Sequence, residues 1–96
     1  MKARFYIVCK QAKGQEWADQ NNTLTTTKAK AQAKKEAKEW AASLRQTVSV
    51  WRLTVEAEGN GENIHIFPEW IGQAESPVYL RDMEQTPADI CGNWAE

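Results

Sequence analysis

The sequence predicts an α+β fold, a small β-α-β-β domain in which one long helix packs on a three-stranded sheet. Three observations predict it. The run from Thr27 to Gln46 is dense in Ala, Lys, Glu and Gln, whose side chains lose the least conformational entropy on entering a helix. It contains no Gly or Pro. Segments before and after this run alternate apolar and polar residues, as half-buried strands do. A stretch with Gly and Asn then leads into a third such segment, which indicates a hairpin.

The predicted helix carries an apolar seam and a basic ridge. Thr26 or Thr27 can cap its N-terminus, although lysines crowd the first turn, where the helix dipole disfavours them. At ~100° per residue the seam and the ridge lie on different sides of the helix. The seam is formed by Ala29, Ala33, Ala37, Trp40, Ala41 and Leu44, and the ridge by Lys30, Lys34, Lys38 and Arg45. Because the seam is mostly Ala, we expect the helix to lie close to the sheet.

Three segments predict the strands of the sheet. They are Ala3 to Lys10, Thr47 to Ala57 and Asn63 to Phe67, with residues 58–62 as the hairpin turn between the last two. Alternation places one set of side chains on a common face of each of the first two strands: Phe5, Ile7 and Cys9 on the first, and Ser49, Trp51, Leu53 and Val55 on the second. The polar stretch Gln11 to Thr26 is predicted to be a long loop, which can hold a short irregular strand around Trp17.

We expect a single domain, with residues 1–67 as the β-α-β-β core and residues 68–96 as an irregular acidic C-terminal extension. Residues 68–72 resemble a turn that carries an exposed aromatic side chain. Ser76-Pro77 and Thr86-Pro87 each have the pattern of an N-cap followed by Pro at the first helical position, and they predict short helices from Pro77 to about Glu84 and from Pro87 to about Cys91. The extension is too poor in apolar residues for a core of its own, so it either packs around the sheet or is available to bind a partner.

Composition argues against several classes of protein. No apolar run approaches the ~18 residues of a membrane span, and the N-terminus resembles a strand rather than a signal peptide, so a cytoplasmic location is expected. Cys9 and Cys91 are expected to be reduced thiols, and the single His with two Cys does not make a usual zinc site. His65 has no partner at a spacing that suits acid–base catalysis, and no catalytic motif is present. We therefore expect a non-enzymatic protein without cofactors.

Charge and tryptophan are distributed unevenly, which points to binding. Residues 1–48 hold eight Lys and two Arg against four acids, whereas residues 49–96 hold two Arg against nine acids. The two halves either attract each other within the fold or offer a basic and an acidic surface to a large partner. The ridge residues Lys30, Lys34 and Lys38 suit a solvated helix face and a protein-docking surface equally well. Binding to phosphates is the less favoured interpretation, because the pI is near 5.9 and no nucleic-acid-binding motif is present. Trp17, Trp70 and Trp94 lie among polar residues and are candidate interface anchors.

The Phe67-Pro68 bond, followed by Glu69, is a candidate site for a prolyl isomerase. Aromatic residues before Pro raise the population of the cis form, and exchange takes tens to hundreds of seconds without a catalyst. The bond lies where the predicted third strand ends and the acidic extension begins. An ordinary trans turn is one interpretation. The other is an exposed loop that a host isomerase of the cyclophilin kind binds, either to switch the extension or as a stable accessory partner.

Three parts of the chain carry a resemblance to a known family: the opening MKARFYIVCK, the Lys-Ala helix and the segment HIFPEWIG. They resemble the small early proteins by which phages blunt host nucleases and, more narrowly, the anti-RecBCD proteins of P22-like phages. The resemblance implies a non-enzymatic protein that binds the host RecBCD helicase-nuclease through the RecC subunit and modulates its nuclease and recombination activity. The competing interpretations are a nucleic-acid-binding module that uses the basic ridge and a small enzyme.

Overall fold

The computed structural model describes residues 2–10, 23–59 and 63–95. This part of the chain folds into five strands, one α-helix and two single-turn 3-10 helices. In chain order they are β1 (Lys2–Cys9), β2 (Thr23–Thr27), α1 (Lys30–Leu44), β3 (Val48–Glu58), β4 (Asn63–Glu75), the 3-10 turns Val78–Leu80 and Pro87–Asp89, and β5 (Cys91–Trp94). The Phe67-Pro68 bond, like every other peptide bond in the described ranges, is trans.

The sheet has five antiparallel strands in the order β2-β1-β3-β4-β5, so the prediction of a three-stranded sheet is wrong. The three predicted strands form its centre. The two additional strands lie at its edges and come from segments predicted as loop and as extension. Both are short and pair with only part of their neighbours, and neither contains the run of alternating apolar residues from which a strand is predicted.

β2 forms from the threonines that were predicted to cap the helix. β-branched side chains favour an extended backbone, and pairing with Tyr6 to Cys9 of β1 stabilises it. The helix consequently starts at Lys30 instead of Thr27, with Ala29 as its N-cap, and it ends at Leu44 instead of Gln46. The Thr27 hydroxyl instead accepts a hydrogen bond from the backbone N–H of Ala29, at 3.3 Å.

β4 runs straight through Pro68, so the prediction that the third strand ends at Phe67 and a turn follows is also wrong. Pro68 pairs with Leu53 of β3 and lies on a stretch of β4 that is an edge of the sheet, where a missing N–H need not break the ladder. Beyond it, Val50 pairs with Gly72 and Trp51 with Trp70, which leaves Ile71 as the extra residue of a bulge. The bulge keeps Ile71 fully buried.

The C-terminal extension wraps the sheet. Its predicted helices are only the two 3-10 turns, and the second has the expected cap at Thr86, whose N–H donates to the Asp89 carboxylate at 2.9 Å. The chain then returns as β5, which pairs with Gly72 to Glu75, and the backbone N–H of Ala95 donates to the carbonyl of Ile71 at 2.9 Å. Trp94 therefore packs against the core rather than standing free at the terminus.

The core lies between α1 and one face of the sheet. Ala33, Ala37 and Ala41 are fully buried, and Trp40 and Leu44 pack at the border, as the seam predicts; Ala29 is exposed. Small side chains let the helix backbone approach the sheet closely. The sheet residues in this core are Tyr6, Val8, Val48, Val50, Ile71 and Ala74, and Ile90 closes one end. The predicted faces of β1 and β3 are confirmed, because Phe5 pairs with Leu53 and Ile7 with Trp51 on the side away from the helix.

Candidate protein-docking surface

The sheet extends well beyond the helix. The molecule measures 52 × 22 × 19 Å, whereas 15 helical residues span only ~22 Å. In the cluster that packs against the helix, the residues of β1, β3 and β4 all come from the half of each strand beside the helix. The other halves form a three-stranded arm, which we call the ribbon: residues 2–5 of β1, 52–58 of β3 and 63–69 of β4.

One face of the ribbon is apolar. Paired residues project to the same side of a sheet, so the registers place these side chains together: Ala3, Phe5, Leu53, Val55, Ala57, Ile64, Ile66 and Pro68. Leu53 is buried, but Ile64 is 61% exposed and Ile66 46% exposed, and Pro68 is exposed as well. The apolar face lies opposite the helix side of the sheet. A contiguous apolar patch at the surface is typical of sites that bind another molecule, so this face is a candidate docking surface.

The opposite face of the ribbon is polar and held by ion pairs. Lys2 and Glu56 lie 3.5 Å apart across β1 and β3, and Arg52 and Glu69 form an ion pair across β3 and β4. The Lys2–Glu56 pair joins the basic and acidic halves of the chain, as expected if the two halves attract each other within the fold. His65 projects to this face, where its ring stacks on Phe67 with 6.3 Å between centroids. The ribbon is therefore amphipathic across its thickness.

A second exposed apolar patch lies on the first 3-10 turn. Val78 is 74% exposed and Tyr79 82% exposed, and Met83 follows them at the surface. A cleft of about 370 Å³ lies beside this turn, lined by Thr47, Glu75, Ser76, Arg81 and Cys91 together with the turn itself. The patch belongs to a short irregular segment, whereas the apolar face of the ribbon lies on a hydrogen-bonded sheet, which holds its side chains in a fixed arrangement.

The structure brings two predicted binding residues together and buries much of the basic ridge. The ammonium group of Lys34 lies 5.1 Å from the ring centroid of Trp94, a cation–π contact that joins α1 to β5. Lys30 and Lys38 are half-buried, as are Lys34 and Trp94. Lys34 and Trp94 therefore contribute to the internal packing of α1 on the sheet as well as to the surface.

The other predicted anchors do not gather with Lys34 and Trp94. Trp70 is half-buried on β4, pairs with Trp51 and lies on the face away from the helix, next to the apolar face of the ribbon. Trp17 lies outside the described residues. Phe67, Pro68 and Glu69 all lie in β4, so the exposed loop expected around Pro68 is a strand; the cyclophilin contact stays a prediction without support from this geometry.

The remaining candidate groups have simple environments. Cys9 is buried in β1 and Cys91 is exposed on β5, and the two do not form a disulfide. Residues 2–10, 23–59 and 63–95 contain no group of three or more His, Cys, Asp or Glu placed to hold a metal ion. Over the same ranges, the single α-helix is neither long enough nor apolar enough to cross a bilayer.

Sequence reasoning missed Ile64 and Ile66 as binding residues. The segment from Asn63 to Phe67 was predicted as a strand, and alternation alone puts both isoleucines on one face. Their exposure could not be predicted, because it depends on which face of the assembled sheet the helix covers, and both isoleucines lie on the other face.

Comparison with known proteins adds no assignment. No protein-family model, curated protein or solved structure matches the chain. The resemblance to anti-RecBCD proteins therefore stays a prediction from the sequence.

Proposed function

We propose that the chain is a non-enzymatic docking protein that binds a larger protein through the apolar face of the ribbon. The observation that carries this proposal is the exposure of Ile64 and Ile66 on a sheet that extends past the core. Apolar side chains on a preformed sheet lose little conformational entropy on binding, and their removal from water contributes to affinity.

The resemblance stated above supplies the partner. We propose that the chain acts in the cytoplasm of an infected bacterial host, where it binds RecBCD through RecC and modulates its nuclease and recombination activity. Two features support a binding role over catalysis. Two pairs of charged side chains on the ribbon, Lys2 with Glu56 and Arg52 with Glu69, engage each other across strands, and His65 contacts Phe67. The ridge is partly engaged by Trp94, which favours a protein partner over nucleic acid.

Lys in place of Ile66 should weaken binding to purified RecBCD by at least about tenfold, mainly through faster dissociation, because a charge would enter an apolar contact. The matched control is Val78→Lys, which places the same charge on the other exposed apolar patch and should bind like the natural chain. Biolayer interferometry with immobilised RecBCD measures the binding of both variants. The same measurement with isolated RecC tests whether that subunit forms the binding site.

Different results would overturn different parts of the proposal. If Ile66→Lys binds RecBCD as tightly as the natural chain, the ribbon is not the docking surface. If the natural chain does not bind RecBCD but binds DNA with a steep salt dependence, the basic-ridge interpretation replaces protein docking.

A further inference from the structure

The outer edge of β4 along the ribbon is unoccupied in the described part of the molecule. β5 pairs with β4 only from Gly72 to Glu75, so Asn63 to Glu69 have β3 on one side and none of the described strands on the other. An edge of this kind presents backbone N–H and C=O groups that can pair with another strand.

This edge lacks charged side chains, and Pro68 is its one blocking residue. Proteins commonly block exposed edges with charged side chains, Lys above all, and with Pro. The opposite edge of the ribbon, residues 2–5 of β1, carries Lys2 and Arg4. The β4 edge has no charge from Asn63 to Pro68, and the charge of Glu69 is paired with Arg52. Lys2 is likewise paired with Glu56, so the two edges differ in the charge of Arg4, which makes the β4 edge the better suited of the two to pairing.

We propose that this edge pairs antiparallel with the same edge of a second copy of the chain, about a two-fold axis at Ile66. In this register Ile66 faces Ile66, Ile64 faces Pro68, and His65 faces Phe67 of the other copy. The isoleucines and prolines extend the apolar face, the aromatic rings meet on the polar face, and Asn63 faces Glu69. No like charges oppose each other, and such self-complementarity is what a two-fold interface requires.

Pro68 limits the strength of this dimer. Proline in a strand lies where its missing N–H points away from the ladder, so the backbone groups of Ile64, Ile66 and Pro68 are those directed outward. The register then forms a mutual pair of hydrogen bonds between the two copies of Ile66 and one bond from each Ile64 N–H to the Pro68 carbonyl. An edge of seven residues buries less than a standard interface of ~800 Å² a side, so the dimer should dissociate on dilution.

Sedimentation velocity over a concentration series tests the dimer. We expect a concentration-dependent dimer for the natural chain, monomer for Ile66→Pro, and the natural behaviour for Ile66→Val, which keeps the N–H donor. Pro68→Val adds an outward donor to each copy and should tighten the dimer about tenfold. A natural chain that stays monomeric at millimolar concentration, or a dimer that neither Ile66→Pro nor Pro68→Val changes, would overturn the proposal. Pro68→Val keeps the test valid should Ile66→Pro fail to fold.

Disulfide trapping tests the register. On a Cys91→Ser background, which removes the exposed thiol, Ile66→Cys should cross-link two copies on oxidation, since directly paired Cα atoms lie ~5.5 Å apart. Ile64→Cys is the matched control: it lies on the same face, but its two copies would be ~14 Å apart and should not cross-link. Equal cross-linking of both variants contradicts the register. The proposal does not depend on RecBCD, because both experiments use the chain alone.

Discussion

Ile71→Ala is expected to lower the free energy of unfolding by about 2 to 5 kcal/mol. Ile71 is the bulged residue of β4, fully buried beneath the helix among Val50, Ala37 and their neighbours. Truncation removes three carbons from this core and leaves a cavity that the bulged backbone and the helix have little freedom to fill. Chemical denaturation, with the tryptophan signal as reporter, measures the loss.

Ile66→Ala is the matched control, because it makes the same substitution on the same strand. Ile66 is 46% exposed on the ribbon, so we expect a loss below about 1 kcal/mol. Both measurements belong at a concentration where the natural chain is monomeric. Equal losses from the two variants would mean that the ribbon is part of the core rather than an arm beyond it, and the proposed docking surface would lose its basis.

The central part of this fold was predictable because it depends on local patterns. Alternation identified β1 and β3 and the faces that Phe5 and Leu53 share, and helical spacing identified Ala33, Ala37 and Ala41 as the buried seam. These patterns arise from a single requirement, that each element bury one side. No pairing partner needs to be known to apply it.

The edge strands were not predictable in the same way. Thr23 to Thr27 is a strand because β1 lies beside it, and Cys91 to Trp94 is a strand because the extension returns to β4. Pro68 looked like the end of a strand because the rule against Pro in strands ignores edges, where it is tolerated. In each case the deciding interaction joins residues far apart in the chain.

The candidate site was predictable only in part, for a related reason. The sequence indicated a binding protein, but it pointed to tryptophans and lysines, and the structure engages Lys34 with Trp94 and buries much of Trp70. The exposed isoleucines of the ribbon were classified as ordinary strand residues. What distinguishes them is their position on the face of the sheet away from the helix, on the part of β4 beyond the core, which is a property of the assembled fold.

Gly72→Ala is expected to destabilise the chain by about 2 to 5 kcal/mol and to release β5 from the sheet. Gly72 has φ of +152°, which L side chains rarely adopt, and Trp94 packs directly over it. A Cβ at this position would meet the Trp94 ring and would lie 2.7 Å from the carbonyl oxygen of Asn93. Because that oxygen is backbone, rotation of a side chain cannot relieve the clash, and β5 itself must move.

The release of β5 can be separated from a general loss of stability. Gly59→Ala is the matched control: Gly59 also has positive φ, at +60°, but no atom lies within 4 Å of its added Cβ, so only a backbone cost of about 1 to 2 kcal/mol is expected. Hydrogen exchange should rise at residues 91–95 in Gly72→Ala under native conditions and stay unchanged there in Gly59→Ala. The Lys34–Trp94 contact would be lost with β5. Unchanged hydrogen exchange at residues 91–95 in Gly72→Ala would mean that Trp94 can pack over a Cβ at this position. The extension would then be held mainly by its contacts with the helix.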